Sequence, residues 1–173
     1  YHYVDTSRHQ INLYLECYQQ SELNQDVYLQ YAVIEGDPKS PAHTILLTRV
    51  KKLQGAGTEP MVVPVPVQVI RSGQYYLYAA IIDKMKNVLA TQASDINISN
   101  PKADIAYLDN YNETPENAFV TSIKADDIDY VLKAHIPITD QNQMGTLKEL
   151  IKSNKIRSQR QFIFQLWKSR SPV

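Results

Sequence analysis

Histidine, cysteine and clustered carboxylates are the side chains through which this chain of 173 residues could do catalytic or metal chemistry. Cys17 is the single cysteine, so an intramolecular disulfide is impossible, and a buried small apolar side chain is the simpler interpretation. The histidines show none of the spacings typical of zinc ligands. They are His2, His9, His43 and His135. The sequence therefore predicts no catalytic residue, no metal site and no cofactor.

Two short segments carry part of a ligand motif but lack its essential residues. Gly55-Ala56-Gly57 lacks the lysine and the following helix that a phosphate-binding loop requires. Asp126, Asp127 and Asp129 lack the glycine turn and the terminal glutamate of a calcium loop, and they predict a helix start instead. We therefore expect a protein that is not an enzyme.

Tyrosine is strongly over-represented, with twelve tyrosines against three phenylalanines and one tryptophan. Tyr14, Tyr18 and Tyr28 could form one outward aromatic row, and Tyr76 and Tyr78 could form another. Rows of this kind stack on sugars or on protein partners, because tyrosine is rigid and amphipathic. The simpler interpretation is that tyrosine suits a half-exposed sheet through its cross-strand contacts.

Apolar residues recur with a period of two through the first hundred positions, which is typical of half-buried strands. The segments with this alternation are residues 10–18, 26–35, 44–53, 61–70, 74–82 and 88–98. No helical pattern separates them, so antiparallel pairing is expected. The predicted fold is mostly β, an antiparallel immunoglobulin-like β-sandwich of about seven strands followed by a short α-helical tail. Residues 103–108 or 119–123 are the candidates for the seventh strand.

The fourth of these segments predicts an edge strand. Pro64 and Pro66 lie two residues apart, so both lack an N–H donor on the same side of the strand. Val63, Val65 and Val67 can still pair on the other side. A strand of this kind fits a sheet edge whose proline side faces solvent and blocks further pairing.

Three parts follow from the patterns: a sandwich domain at 1–100, a linker or extra strand at 101–125, and a helical tail at 126–173 that begins a further domain. The last helix, residues 155–170, is expected to bury one face, and apolar residues also lie off that face. The expected buried residues are Ile156, Ile163, Leu166 and Trp167. A terminal helix that is apolar on several sides needs something to pack against. The predicted partner-binding residues are Phe162, Phe164, Trp167 and Arg170.

Composition narrows the possible partners. Lys and Arg balance Asp and Glu, which argues against a broad nucleic-acid surface. No apolar run reaches the roughly 18–20 residues that a membrane helix requires. Because the chain starts at Tyr1 without Met, a leader or a lipid anchor could precede residue 1.

The tail resembles a known family. Residues 160–172 look like the segment of GWxTD-domain proteins in which Phe-Trp is followed, after two residues, by Arg-Asp-Pro. Leu166 stands where that segment usually has Phe, Ser171 stands where it has Asp, and the name-giving Gly-Trp motif is absent. The helix at 144–151 and the strand at 12–18 also resemble parts of this family, whose members are envelope proteins of Bacteroidetes and related bacteria.

The resemblance implies an exported protein that is periplasmic or associated with the outer membrane. The leading hypothesis is a non-enzymatic binding or scaffolding module of a bacterial envelope assembly, with a role in secretion as one option. Its partners would be other envelope proteins or the remainder of its own chain. The alternative is a carbohydrate-binding sandwich that uses Tyr14, Tyr18, Tyr76 and Tyr78.

Overall fold

The computed structural model describes residues 2–5, 10–19, 26–54, 57–111 and 119–170. These residues form two compact units. A sheet unit comprises Tyr1–Gln68 and Gln74–Ile98, and a helical unit comprises Val69–Gly73 and Ser99–Val173. The loop that connects two strands of the sheet unit therefore belongs to the helical unit.

The sheet unit is antiparallel in every strand pair whose register is described. One sheet has five strands in the order β1-β7-β6-β3-β4, and the other pairs β2 with β5. The strands are β1 His2–Asp5, β2 Gln10–Gln19, β3 Val27–Glu35, β4 Thr44–Lys52, β5 Gly57–Pro66, β6 Gly73–Asp83 and β7 Val88–Ser99. The six predicted strands are confirmed, with β5 starting earlier and ending earlier than expected, whereas β1 was not predicted.

The apolar alternation has the expected structural result in β2 and β3. Along β2, half-buried odd-numbered residues alternate with exposed even-numbered ones from Gln10 to Tyr18. Along β3, Val27, Leu29 and Val33 are buried on one face, while Ala32 and Ile34 are buried on the other. Because β3 lies between β4 and β6, it is covered more completely than the outer strands.

The proline-containing strand is at an edge, as predicted. Within the described residues, β5 pairs with β2 and with no other strand. In this register Pro64 lies opposite Asn12 and Pro66 opposite Gln10, and a third proline, Pro60, lies opposite Glu16. The three prolines share one parity, so their missing donors all fall on the outer side of the strand.

The region after residue 100 is helical, with α1 Pro101–Asn110, α2 Ile128–Ala134, α3 Gln141–Lys152 and α4 Ile156–Arg170. The expectation of a further strand at 103–108 is wrong, because these residues lie inside α1. Asn100 caps α1, its side-chain oxygen accepting from the Ala103 N–H at 3.2 Å, and Pro101 occupies the first turn. The alternative at 119–123 is also wrong, since Phe119–Thr121 forms a 3-10 turn.

The helical unit has a core of its own, made from buried apolar side chains of α1 to α4 and the 3-10 turn. They are Leu108, Val120, Ile128, Leu132, Leu147, Leu150, Phe162, Ile163 and Leu166. The buried face of α4 differs from the predicted one: Phe162 is buried, whereas Ile156 and Trp167 are exposed. At about 100° per residue, the face that packs is rotated by roughly 60° from the predicted face.

Asp104 of α1 joins three segments of the helical unit. Its carboxylate accepts the Ser72 N–H at 2.9 Å and the hydroxyl of Thr146 on α3, and it lies 3.8 Å from Nε of Arg71. The Arg71 guanidinium also stacks on the Tyr107 ring, 3.8 Å from its centroid. Asp104 therefore fixes the Val69–Gly73 loop and α3 to α1.

Among the helices that the structure describes, none is long and apolar enough to cross a lipid bilayer.

We predict that Asp104→Ala destabilises the helical unit by about 1–3 kcal/mol, because the part-buried Ser72 N–H and the buried Thr146 hydroxyl lose their acceptor. Trp167, the only tryptophan, lies in this unit, so its fluorescence during urea unfolding measures the effect. Asp129→Ala is the matched control, since it removes an exposed pair with Lys133 and should cost less than about 1 kcal/mol. Equal unfolding midpoints for the two variants would contradict the assigned role of Asp104.

Candidate functional site

An aromatic patch on the helical unit consists of Phe119, Trp167 and His135. The Phe119 and Trp167 rings meet edge to face with centroids 5.9 Å apart, and the His135 and Trp167 rings do so at 5.8 Å. Phe119 is 52% exposed and Trp167 is 44% exposed, whereas His135 is buried. Two large aromatic side chains are therefore presented to solvent above a buried imidazole.

Hydrogen bonds fix the tautomer of His135 and the orientation of Trp167. Nδ1 of His135 lies 2.6 Å from the Val131 carbonyl oxygen, which can only accept, so Nδ1 carries the proton. The indole Nε1–H of Trp167 donates to Nε2 of His135 at 2.7 Å. The imidazole is thus neutral in this arrangement, and the indole ring is held from two sides, by His135 and by Phe119. A ring held in this way loses little conformational entropy on contact with a partner.

The segment after His135 adds apolar and basic groups beside the aromatic patch. Ile136 and Ile138 are both exposed, and the Arg170 guanidinium donates to the Ile138 carbonyl oxygen. Arg170 also lies 3.9 Å from the carboxylate of Asp140. The end of α4 is thereby attached to this segment, with a cation at the border of an apolar surface.

The structure brings together only two of the four residues that were predicted to bind a partner. Trp167 belongs to the aromatic patch, and Arg170 is exposed at the end of α4. Phe162 is buried in the core of the helical unit. Phe164 is half-buried and packs against that core, with Nζ of Lys168 5.9 Å from its ring centroid. Neither phenylalanine is presented to solvent as Trp167 is.

Sequence reasoning missed Phe119 and His135. Phe119 lies in a stretch without periodicity, and His135 lies just before Pro137, where the helical pattern ends. The hydrogen bond from Trp167 spans 32 positions in the chain. Contacts of that separation leave no local pattern, so neither residue carried a signal.

A second cluster lies on the outward face of β2, and we call it the Tyr-Glu-Tyr triplet: Tyr14, Glu16 and Tyr18. The Tyr14 hydroxyl donates to Oε1 of Glu16 at 2.5 Å, and the Tyr18 hydroxyl donates to Oε2. The two rings are 59% and 69% exposed. These hydrogen bonds lower the pKa of Glu16, with Tyr14 the larger cause, and the bond to Glu16 raises the pKa of each tyrosine.

The tyrosines predicted to bind sugars do not form one row. Tyr14 and Tyr18 lie on β2 of the two-stranded sheet, whereas Tyr76 and Tyr78 lie on β6 in the five-stranded sheet. Tyr76 and Tyr78 are only half-exposed and lie opposite Ile34 and Ala32 of β3. Of these four tyrosines, only Tyr14 and Tyr18 offer exposed rings that flank a carboxylate, that of Glu16.

Cys17 lines a cavity of about 200 Å³ that lies between β2 and the five-stranded sheet. Burial, and to a lesser degree the Glu59 charge, raise the pKa of this thiol. A raised pKa disfavours the reactive thiolate. Cys17 is therefore better described as a small apolar side chain in the packing between the sheets.

Comparisons with known proteins give a distant structural likeness. No protein-family model and no curated protein matches the chain. Among solved structures, the chain is similar to one described as the crystal structure of a family 76 glycoside hydrolase from a bovine Bacteroides thetaiotaomicron strain. The match has 12% identity and a TM-score of 0.34, and covers 88% of this chain and 36% of that chain. The present chain thus spans about a third of the length of that neighbour, and a likeness of this degree carries no argument about function.

We predict that Glu16→Gln lowers the pKa of Tyr14 and Tyr18 toward the ordinary value of about 10, because the hydrogen bonds to a carboxylate that stabilise the neutral phenols are lost. Titration of the individual tyrosine ring signals by NMR measures the change. Glu35→Gln, at an exposed glutamate at the end of β3, is the control and should leave both pKa values unaltered. Unshifted titrations in Glu16→Gln would mean that the triplet does not form in solution.

Proposed function

We propose that this chain is a non-enzymatic protein-binding or scaffolding module of a bacterial envelope assembly. The observation that carries the proposal is the aromatic patch, in which Phe119 and Trp167 are solvent-exposed while His135 holds the indole in place. Fixed, exposed aromatic side chains are typical energetic centres of protein interfaces. Ile136 and Ile138 extend the apolar surface, and Arg170 supplies a cation at its border.

The strand order supports an immunoglobulin-like sandwich as the fold of the sheet unit. In such sandwiches strands B and E pair in one sheet, and strands G, F and C form the other, to which the variable type adds C′. Here β2 and β5 correspond to B and E, while β7, β6, β3 and β4 correspond to G, F, C and C′. Sandwiches of this type are common scaffolds for binding proteins, although the fold by itself does not specify the partner.

The location in the periplasm or at the outer membrane rests on the resemblance of residues 160–172 to GWxTD-domain proteins. Those residues include Trp167 and Arg170 at the surface of α4. The partner we propose is another envelope protein or the remainder of the longer polypeptide to which such a tail would belong.

The test is recovery of partners from detergent-solubilised Bacteroidetes envelopes by the immobilised chain, its Trp167→Ala variant and its Phe119→Ala variant. Both substitutions remove an exposed ring of the aromatic patch, so we expect each to reduce specific partner recovery by about tenfold, as loss of an interface anchor does. Quantitative mass spectrometry measures the recovery.

Tyr130→Ala is the matched control, because Tyr130 is an aromatic residue of the same unit that is 76% exposed and lies outside the patch. It should recover the same partners as the unaltered chain. Equal recovery by all variants would remove the aromatic patch as the binding surface. The fluorescence of Trp167 in Phe119→Ala and circular dichroism of all variants verify that the helical unit is folded.

A carbohydrate-binding function is the alternative, and the Tyr-Glu-Tyr triplet favours it. Exposed rings at Tyr14 and Tyr18 can stack on sugar faces while Glu16 accepts hydroxyl groups. In a glycan array, Tyr14→Ala and Tyr18→Ala should then abolish binding, whereas Tyr76→Ala and Tyr78→Ala should leave it intact because they lie on the other sheet. Absence of any glycan signal from the unaltered chain would eliminate this function.

A further inference from the structure

The two sheets of the sheet unit differ in width, which leaves part of the larger sheet uncovered. At about 4.8 Å per strand, five strands span roughly 24 Å and two strands only about 10 Å. The consequence is visible at both flanks of the larger sheet. Residues 88–94 of β7 are exposed on both faces, and β4 is exposed on both faces except at Leu47. An added strand in the smaller layer could cover either flank.

On the β4 flank, such an addition is blocked. The free edge of β5 carries Pro60, Pro64 and Pro66, which supply no N–H donor to a neighbouring strand. The cations of β4 and an irregular register between Val33 and Ile34 further protect this side from pairing. Those cations are Arg49, Lys51 and Lys52.

On the β7 flank, the edge of β2 that faces away from β5 is not blocked. The proline positions show that even-numbered residues of β2 point their N–H and C=O groups away from β5. Within the described residues no strand pairs with that side, although it extends over the whole of Gln10–Gln19. The strand contains no proline, glycine, lysine or arginine, the residues that usually protect an exposed edge.

The space beside this edge is a groove rather than open solvent. The cavity of about 200 Å³ is lined by β2, by β6, by the exposed half of β7 and by Leu29 of β3. Its lining includes Leu15 and Cys17 from above and Ala79, Ile81 and Ala90 from below. The side chains of the lower wall are mostly small. A strand placed along β2 would direct every second side chain into this groove.

We propose that an extended segment of a separate polypeptide binds here as an additional strand, antiparallel or parallel to β2 and above β7. The main-chain N–H and C=O groups of Asn12, Tyr14 and Glu16 that point away from β5 would form hydrogen bonds with the added strand and supply affinity. The groove would select apolar side chains at alternate positions of that strand. Glu16 is the only charged residue described on this face of β2, so a basic residue opposite it complements the site.

Each of the seven described strands already lies in one of the two sheets, and a second copy of the chain does not fit the site. A second copy pairing through its β2 would bring its own β7 beneath the joined strands, because β7 lines the groove under β2. The two β7 strands would then compete for one space.

The test measures binding of a synthetic ten-residue peptide to the full chain. The peptide alternates valine with threonine and lysine and carries a dye, whose fluorescence anisotropy reports binding. A peptide of identical composition with its valines adjacent is the negative probe. We expect the alternating peptide to bind and the rearranged peptide to bind at least about tenfold more weakly, since only the former matches the period of a strand.

Three variants separate the edge from the side chains. Tyr14→Pro removes an outward N–H and should reduce the affinity by about tenfold or more. Val62→Pro places the same substitution directly opposite, on the edge that prolines already occupy, and should bind as the unaltered chain does. Tyr14→Thr keeps the N–H but loses the ring, and its affinity should stay within about threefold of the unaltered chain. Equal binding by Tyr14→Pro would overturn the proposal.

Hydrogen exchange keeps the proposal testable if Tyr14→Pro fails to fold. In the unaltered chain the amides of Asn12, Tyr14 and Glu16 should exchange fast and those of Leu13 and Leu15 slowly, and the alternating peptide should protect the first group alone. Unchanged exchange at saturating peptide would overturn the proposal. Sedimentation that reveals a dimer broken by Tyr14→Pro would assign the groove to a second copy and would equally overturn it.

Discussion

The helical unit is organised around one buried carboxylate. Asp104 is buried, and removal of a charge from water is costly unless hydrogen bonds and an opposite charge compensate for it. Here the compensation comes from two segments outside α1: the Val69–Gly73 loop supplies the Ser72 N–H and the Arg71 cation, and α3 supplies the Thr146 hydroxyl. Asn100 strengthens the same junction, because its side chain donates to the Ile70 carbonyl oxygen at 2.8 Å while it caps α1. The position of the loop and the start of α1 are therefore determined together.

Local periodicity predicted most of the strands because their burial alternates along the chain. It failed for β1, since four residues are too few to establish a period. It also failed for α1, although Asn100 and Pro101 carry an N-cap and first-turn pattern that predicts a helix start. In α4 the period was recognised but the buried face was not, because apolar residues lie on several sides and only tertiary packing selects Phe162 over Trp167.

The candidate sites were predictable only in part. Trp167 and the Tyr-Glu-Tyr triplet carry a sequence signal, the first through residue type and the second through alternation along β2. The neighbours that orient Trp167 could not be found, because Phe119 and His135 are remote from it in the chain. The prolines in the sequence predicted that one edge of β5 is blocked. The free edge of β2 could not be predicted, because only the strand order shows that no described strand pairs there.

The passage of the Val69–Gly73 loop through the helical unit has a consequence for synthesis on the ribosome. Ser72 precedes its acceptor Asp104 by 32 residues, and Asp104 precedes Thr146 by a further 42. During translation the loop therefore has no carboxylate partner until α1 has been synthesised, and Asp104 lacks the Thr146 donor until α3 has been synthesised. A fragment that starts at Ser99 lacks the loop, and one that stops before α3 lacks the Thr146 donor. Truncation of the polypeptide at a single position therefore cannot produce the intact helical unit on its own.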